Sequence, residues 1–321
     1  MKFKFFSLLL FLSFTTFSFS QELFPLTEPA STIPKGVIGL RNINQTFNEF
    51  GTQKYLSAMR VMYGLTSHLS ISGTISFSNH HNSYLPLDLI THTHQGNTTS
   101  YFTHNTKKGK AYPMNYAGLY FYAKYRIVSM DKKNEHFRIA LYGEYSTVDQ
   151  AHNEAEASLM DDSKGYGGGS IVTYLKNHFA TSLITGFSIP GTYTEQVKYV
   201  NEPTITTTSI TYAKSFNYSL SFGYLLFPTV YKNYSQLNIN LYSELIGKTY
   251  SDATIYQNNV KLKSTSNSLI SSNYIEIHPG VQAIIHSNLR IDFSIGYNLI
   301  KRSYTHQYPI YTLSIQRYFY R

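Results

Sequence analysis

Between Ile210 and Leu226 every even position except Lys214 carries a large apolar or aromatic side chain: Ile210, Tyr212, Phe216, Tyr218, Leu220, Phe222, Tyr224 and Leu226. The odd positions through Gly223 are Thr211, Ala213, Ser215, Asn217, Ser219, Ser221 and Gly223. A period of two sends successive side chains to opposite faces of an extended chain, so this stretch reads as a strand with one apolar face and one small polar face. A soluble sandwich does not place its bulk this way. Lipid outside and a polar lumen inside are the surroundings that suit both faces.

How such strands reach a membrane is written at the start of the chain. Lys2 and Lys4 precede an uncharged run from Phe5 to Phe19, and Ser18 and Ser20 stand at the minus-three and minus-one positions before Gln21. This is the pattern of a cleaved secretory signal peptide over residues 1–20. An apolar run of about 15 residues falls short of the roughly 20 that a spanning helix needs. No second long uncharged run follows, so membrane residence falls to strands. The mean hydropathy of −0.24 argues against a helical membrane protein but not a barrel, half of whose side chains face inward.

Absence of cysteine removes both a disulfide framework and a lipoprotein anchor. The formal charge of +9 suits anionic headgroups and lipopolysaccharide, and no motif points to nucleic acid or a cofactor. With 30 tyrosines and no tryptophan, an interfacial girdle must be built from Tyr and Phe.

Residues 21–35 carry Pro25, Pro29 and Pro34 and cannot be strand interior. They form either a periplasmic tail or a short plug folded into the lumen, with the tail as default because chain ends are usually loose. Residues 36–321 read as one all-β, up-and-down transmembrane antiparallel barrel of about twelve strands. Long irregular stretches near 80–113, 149–165, 190–205 and 250–268 alternate with tight turns near 66–68, 131–135, 176–178 and 286–288. That alternation predicts outer loops, inner turns and both termini in the periplasm of a Gram-negative cell.

Three local expectations follow. The stretch from Thr206 to Leu226 is read as one long strand whose Thr-rich start projects as an outer stem, with Lys214 near the headgroups. In strand four Tyr116, Tyr120, Tyr122, Lys124 and Arg126 point inward, and Pro279 marks a bulge. The final strand, Pro309 to Phe319, with Tyr311, Leu313, Ile315 and Phe319 on its lipid face, resembles the terminal signal read by barrel-insertion machinery.

On the lumen side the parity places Arg60, Lys124, Arg126, Arg138, Lys248 and Arg290 with Glu144, Glu244, Glu276, His278 and Asp292. Mixed signs allow a paired network that narrows the pore or a charged eyelet that selects ions. His80, His81, His92, His94 and His104 gather in the longest loop, where they offer neutral imidazoles to zinc or copper or form a solvated loop. The run Ser78-Asn79-His80-His81-Asn82-Ser83 is superficially similar to the pair of an outer-membrane phospholipase, but its spacing departs from that motif and no third member orients it. No enzyme is expected.

The segment His278-Pro279-Gly280-Val281-Gln282, the Ser287-Asn288 turn and the strand Leu289 to Tyr297 resemble the closing hairpin of a transporter-like outer-membrane barrel family of Bacteroidota. That family is loosely similar to the MetA-type phenol-degradation and fatty-acid-transporter barrels. Glu28-Pro29-Ala30-Ser31 to Gly39-Leu40-Arg41 resembles its mature start. The resemblance implies an outer-membrane channel or transporter for small-molecule solutes, apolar ones included, and brings no catalytic residues. The alternative is a plugged structural barrel whose His-rich loops bind a partner or metal.

Overall fold

Extended segments with one apolar face must pair, and here they pair all the way round. The structure is a computed structural model that describes residues 24–49, 51–79, 114–147, 164–198, 205–230, 233, 235–263, 271–301 and 307–320. Among them lie β1 (Ile38–Glu49), β2 (Thr52–Gly64), β3 (Leu69–Ser78), β4 (Asn115–Lys132), β5 (Glu135–Ser146), β6 (Gly165–Lys176), β7 (Phe179–Pro190) and β8 (Thr192–Lys198). They continue as β9 (Ile205–Thr211), β10 (Ser215–Phe227), β11 (Asn238–Tyr250), β12 (Thr254–Gln257), β13 (Val260–Leu262), β14 (Ser272–Ile285), β15 (Leu289–Ile300) and β16 (Ile310–Phe319). Twelve of these, β1 to β7, β10, β11 and β14 to β16, close an antiparallel barrel. The seam pairs β1 with β16, Ile38 opposite Phe319, so no barrel strand is left as an open edge.

The wall is inside-out relative to a soluble barrel. In β16 exposed Tyr311, Leu313, Ile315 and Phe319 alternate with buried Thr312, Ser314, Gln316 and Tyr318. The outer surface is a belt of aromatic and aliphatic side chains such as Phe121, Phe187 and Leu226, while Ser182, Ser221, Glu244 and Ser314 are fully buried on the inner side. No helix among the described residues is long and apolar enough to cross a membrane.

The stretch expected as one long strand is two. β9 ends at Thr211, β10 begins at Ser215, and the buried positions switch from even (Ile210, Tyr212) to odd (Ser215, Ser219, Ser221) across Ala213-Lys214. The reason is a change of solvent. Along β10 the large residues can be left to lipid, but beyond it they need cover. β9 therefore joins a second sheet in the order β13-β12-β9-β8, in which Ile210, Tyr212 and Ile255 pack together against Ala253 and Leu262. This sheet prolongs β7, β10 and β11 beyond the barrel, since β8 follows β7, β9 leads into β10 and β12 follows β11.

Two further local expectations are corrected. Tyr116 points outward, 46% exposed, with its ring edge-on to Phe77 at 6.3 Å. A register shift between Ser76 and Phe77 in the β3–β4 ladder inverts the faces beyond it. Pro279 does face outward, but the β11–β14 ladder passes it without a slip, and the irregularity of β14 against β15 lies between Ile275 and Glu276.

Candidate functional site

Residues 24–35, for which the default expectation is a loose tail, are inside the barrel. The chain enters from the end where β1 begins. Gly36, at φ +79°, donates its N–H to the Gly64 carbonyl at 2.8 Å and reverses the direction of the chain. From there the segment climbs the lumen to Thr27 and Glu28 and descends again to Phe24. On the rising limb the Thr32 hydroxyl donates to the Ser67 carbonyl, Ser31 Oγ accepts from Arg138 at 2.8 Å, and the Ala30 N–H donates to Thr173 Oγ1. On the falling limb the Pro25 carbonyl accepts from Arg41 Nη2 at 2.6 Å. Phe24, 1% exposed, packs on Ala180 and Tyr242 and lies against Gly223, where a Cβ would meet its ring at 3.3 Å.

Prolines explain why this path is possible. Buried backbone groups need partners, and Pro25, Pro29 and Pro34 have no N–H to satisfy. The remaining polar groups of the apex are met by wall side chains. Glu244 accepts from the backbone N–H of Thr27 at 2.8 Å, from the N–H of Leu26 at 3.1 Å and from the Thr27 hydroxyl at 2.8 Å. The Thr27 hydroxyl also lies 2.7 Å from Ser221 Oγ.

At the apex stands Glu28. One carboxylate oxygen takes Arg60 Nη1 at 2.6 Å and the other takes Lys124 Nζ at 2.9 Å, while Lys124 also donates to the Pro29 carbonyl. Arg60 and Lys124 are buried in the wall, so this carboxylate neutralises two cations that water does not reach freely. Burial by itself would raise the Glu28 pKa, but Lys124 and Arg60 outweigh it and bring it down to about 2. Because the folded value lies below the ordinary 4.5, Glu28 stabilises the seated segment fully above pH 4.5 and loses that contribution as the pH falls toward about 2. The Glu28 contribution should therefore appear as a rise in conductance when the pH is lowered from about 4.5 toward about 2, as a pH series in planar bilayers would measure.

The inward residues foreseen from parity take the following places. Arg60, Lys124, Arg138 and Glu244 each reach the N-terminal segment. Arg138 also holds Asp131 at 2.9 Å, and half-buried Arg126 donates to the Ser67 carbonyl. Glu144 accepts from the Tyr120 hydroxyl. Glu276 takes His278 Nε2 at 3.1 Å and the Tyr308 hydroxyl, Asp292 takes Gln282 Nε2 at 2.7 Å, and the Arg290 guanidinium sits 5.3 Å from the centre of the Tyr318 ring. The two readings, network or eyelet, both leave out Glu28, and they leave out Arg41, which holds the Pro25 carbonyl. A surplus of inward cations over inward anions was the signal that an acid had to come from elsewhere.

Beyond the apex, away from the end where the segment enters, is a cavity of about 160 Å³ floored by Leu26, Thr27 and Glu28. Tyr120, Tyr122 and Tyr142 form one side of it, their rings stacked in a row with centroids 6.3 and 5.4 Å apart. Lys248 and Tyr274 line it from β11 and β14. His80, His81, His92, His94 and His104 lie outside the described residues, and no cluster of three or more metal-ligating side chains occurs among those described.

No protein-family profile and no curated protein matches the chain. Among solved structures it is similar in fold to an outer membrane channel from Pseudomonas putida F1, with a TM-score of 0.54 and 10% identity over 91% of this chain and 100% of that one. The β domain of the Bordetella autotransporter BrkA aligns over 89% of this chain and 99% of that one, at a TM-score of 0.39 and 10% identity.

Proposed function

We propose that the protein is an outer-membrane channel for small solutes, closed at rest by its own N-terminal segment. The observation that carries this reading is the way the segment is held. Phe24, Ala30 and Ile33 pack against apolar wall residues, but the apex is held by hydrogen bonds and the ion pairs of Glu28, and the segment occupies the half of the lumen where β1 begins. Polar contacts of this kind exchange with water at small net cost, about 0.5–1.5 kcal/mol for a typical hydrogen bond, so they suit a stopper that must leave. The outer belt supports residence in lipid, and the alternation of short turns and long connections supports termini on the periplasmic side.

Liposome swelling tests this directly. The intact chain should admit small uncharged solutes slowly, and a variant lacking residues 24–35 should admit them much faster and extend to larger ones. Equal swelling by the two proteins would remove the segment from any closing role. A barrel closed to every solute in both forms would overturn the channel itself.

A further inference from the structure

We infer that the outer face of β1 and β2 is where two copies of this chain meet in the membrane, through a pair of side-chain amides at mid-depth. The inference goes beyond the channel reading and needs only that the wall faces lipid. Height along β1 follows from the register. Ile38 stands level with Tyr63 on one side and Phe319 on the other, and Thr46 stands level with Tyr55 and Tyr311. Tyr55, Tyr311 and Phe319 are exposed, so two aromatic levels bracket the outer face of β1 as the girdles of a membrane barrel do. Asn42 lies halfway between them and Asn44 is the next outward residue, both half-buried on the lipid side and level with Ile315 and Leu313. At about 2.6 Å of height per residue in a strand tilted by about 40°, Asn42 is roughly 10 Å from either level. Elsewhere on the described wall the outward residues at this height are apolar, aromatic, glycine, proline or short hydroxyl residues such as Ser170 and Thr185, which lie 3.2 Å apart and pair with each other.

Hydrocarbon offers an amide no partner, and the wall gives these two only part of what they need. Asn44 Nδ2 donates to Asn42 Oδ1 at 2.5 Å, while Asn42 Nδ2 reaches Ser57 Oγ and the Ala58 carbonyl only at 3.4 Å. Among the described residues no donor reaches Asn44 Oδ1. What completes the pair must lie in the same hydrocarbon layer and carry donors and acceptors at the same height. A second copy does both. A twofold axis along the membrane normal keeps every residue at its depth, so the two amide pairs face each other, and a carboxamide, being donor and acceptor at once, complements itself. The rest of the face permits the approach. Outward positions of β1 from Ile38 to Thr46 and of β2 from Tyr55 to Tyr63 carry no charge to repel its own counterpart, and Met59 and Val61 give exposed apolar surface for packing beside the amides.

The chain has no cysteine, so a single replacement reports contact without background. In phospholipid vesicles the full chain carrying Asn44→Cys should form a disulfide-linked dimer under mild oxidation, whereas Leu183→Cys, at an exposed position of β7 across the barrel, should not. Sedimentation of the unaltered chain in detergent should give two copies per particle, with a dissociation constant raised about ten- to a hundredfold in Asn42→Leu/Asn44→Leu. Leucine is at home against lipid. The strand content of that variant by circular dichroism should equal that of the unaltered protein, so its dissociation cannot be loss of fold. A monomer in both vesicles and detergent overturns the interface, as does a dimer that survives both leucines or cross-links through Leu183→Cys. A cross-link from Asn44→Cys to a different protein in whole cells gives the face to that protein and overturns the second copy. Solute entry plays no part in these readings, so the interface and the channel fail separately.

Discussion

Glu28→Ala should convert a closed barrel into an open one. Removing one partner of a buried ion pair costs about 3–5 kcal/mol when the remaining charge stays buried, and here one carboxylate serves two cations, Arg60 and Lys124. The barrel can escape that cost. If the segment leaves, water enters from the cavity above the apex and solvates both cations, so the lost energy goes into release of the segment instead of unfolding of the wall. A shift of about 3–5 kcal/mol moves the ratio of open to closed molecules by roughly two to three and a half decades. Single-channel recording should show a long-lived open level in Glu28→Ala that is rare in the unaltered protein, with the N-terminus newly sensitive to protease. Glu28→Gln, which keeps the shape and one acceptor, should fall between. Unchanged conductance together with a lower unfolding temperature would show that the segment is a fixed part of the fold.

Gly64→Val should produce the same opening without touching a charge. A Cβ at Gly64 would stand 2.0 Å from the Pro34 carbonyl oxygen and 2.6 Å from that of Ile33. Both are backbone atoms, so no rotamer change relieves the clash. The conflict sits where the segment enters the barrel, against the reversal at Gly36. Forced overpacking costs about 1–3 kcal/mol, which predicts a shift of roughly one to two decades toward the open form. Conductance and protease sensitivity again provide the measurement, and a barrel that stays closed and merely melts earlier would refute the expectation. Agreement between this variant and Glu28→Ala would tie the phenotype to the segment's position, since the two share no chemistry.

Much of the wall was legible because a membrane strand states its two solvents in alternate residues. β15 shows this, with Ile291, Phe293 and Tyr297 exposed and Arg290, Asp292 and Ser294 buried. What alternation does not carry is which solvent the large face meets. Ile210 and Phe216 share one parity, yet one is buried in the outer sheet and the other is 51% exposed on the barrel. Nor does it carry a register slip. The sequence gives no mark of the shift between Ser76 and Phe77 that turns Tyr116 outward. The site was harder still. Arg60 and Lys124 could be placed in the lumen from parity, but their shared partner lies 32 and 96 residues away in a stretch whose prolines say only that it is not a strand.

The path of residues 24–35 has a mechanical consequence. Both limbs of the segment point toward the same end of the barrel, with Thr27 and Glu28 at the bend, so nothing has to be threaded through the lumen for it to come out. Tension applied to the N-terminus from that end would peel the attachments in sequence. Phe24 would come away first, then Pro25 from Arg41, then Leu26 and Thr27 from Glu244, and only then Glu28 from its two cations. Loads shared one bond at a time yield at far lower force than bonds sheared together. A tug too weak to disturb the β1–β16 seam would suffice to draw this stopper.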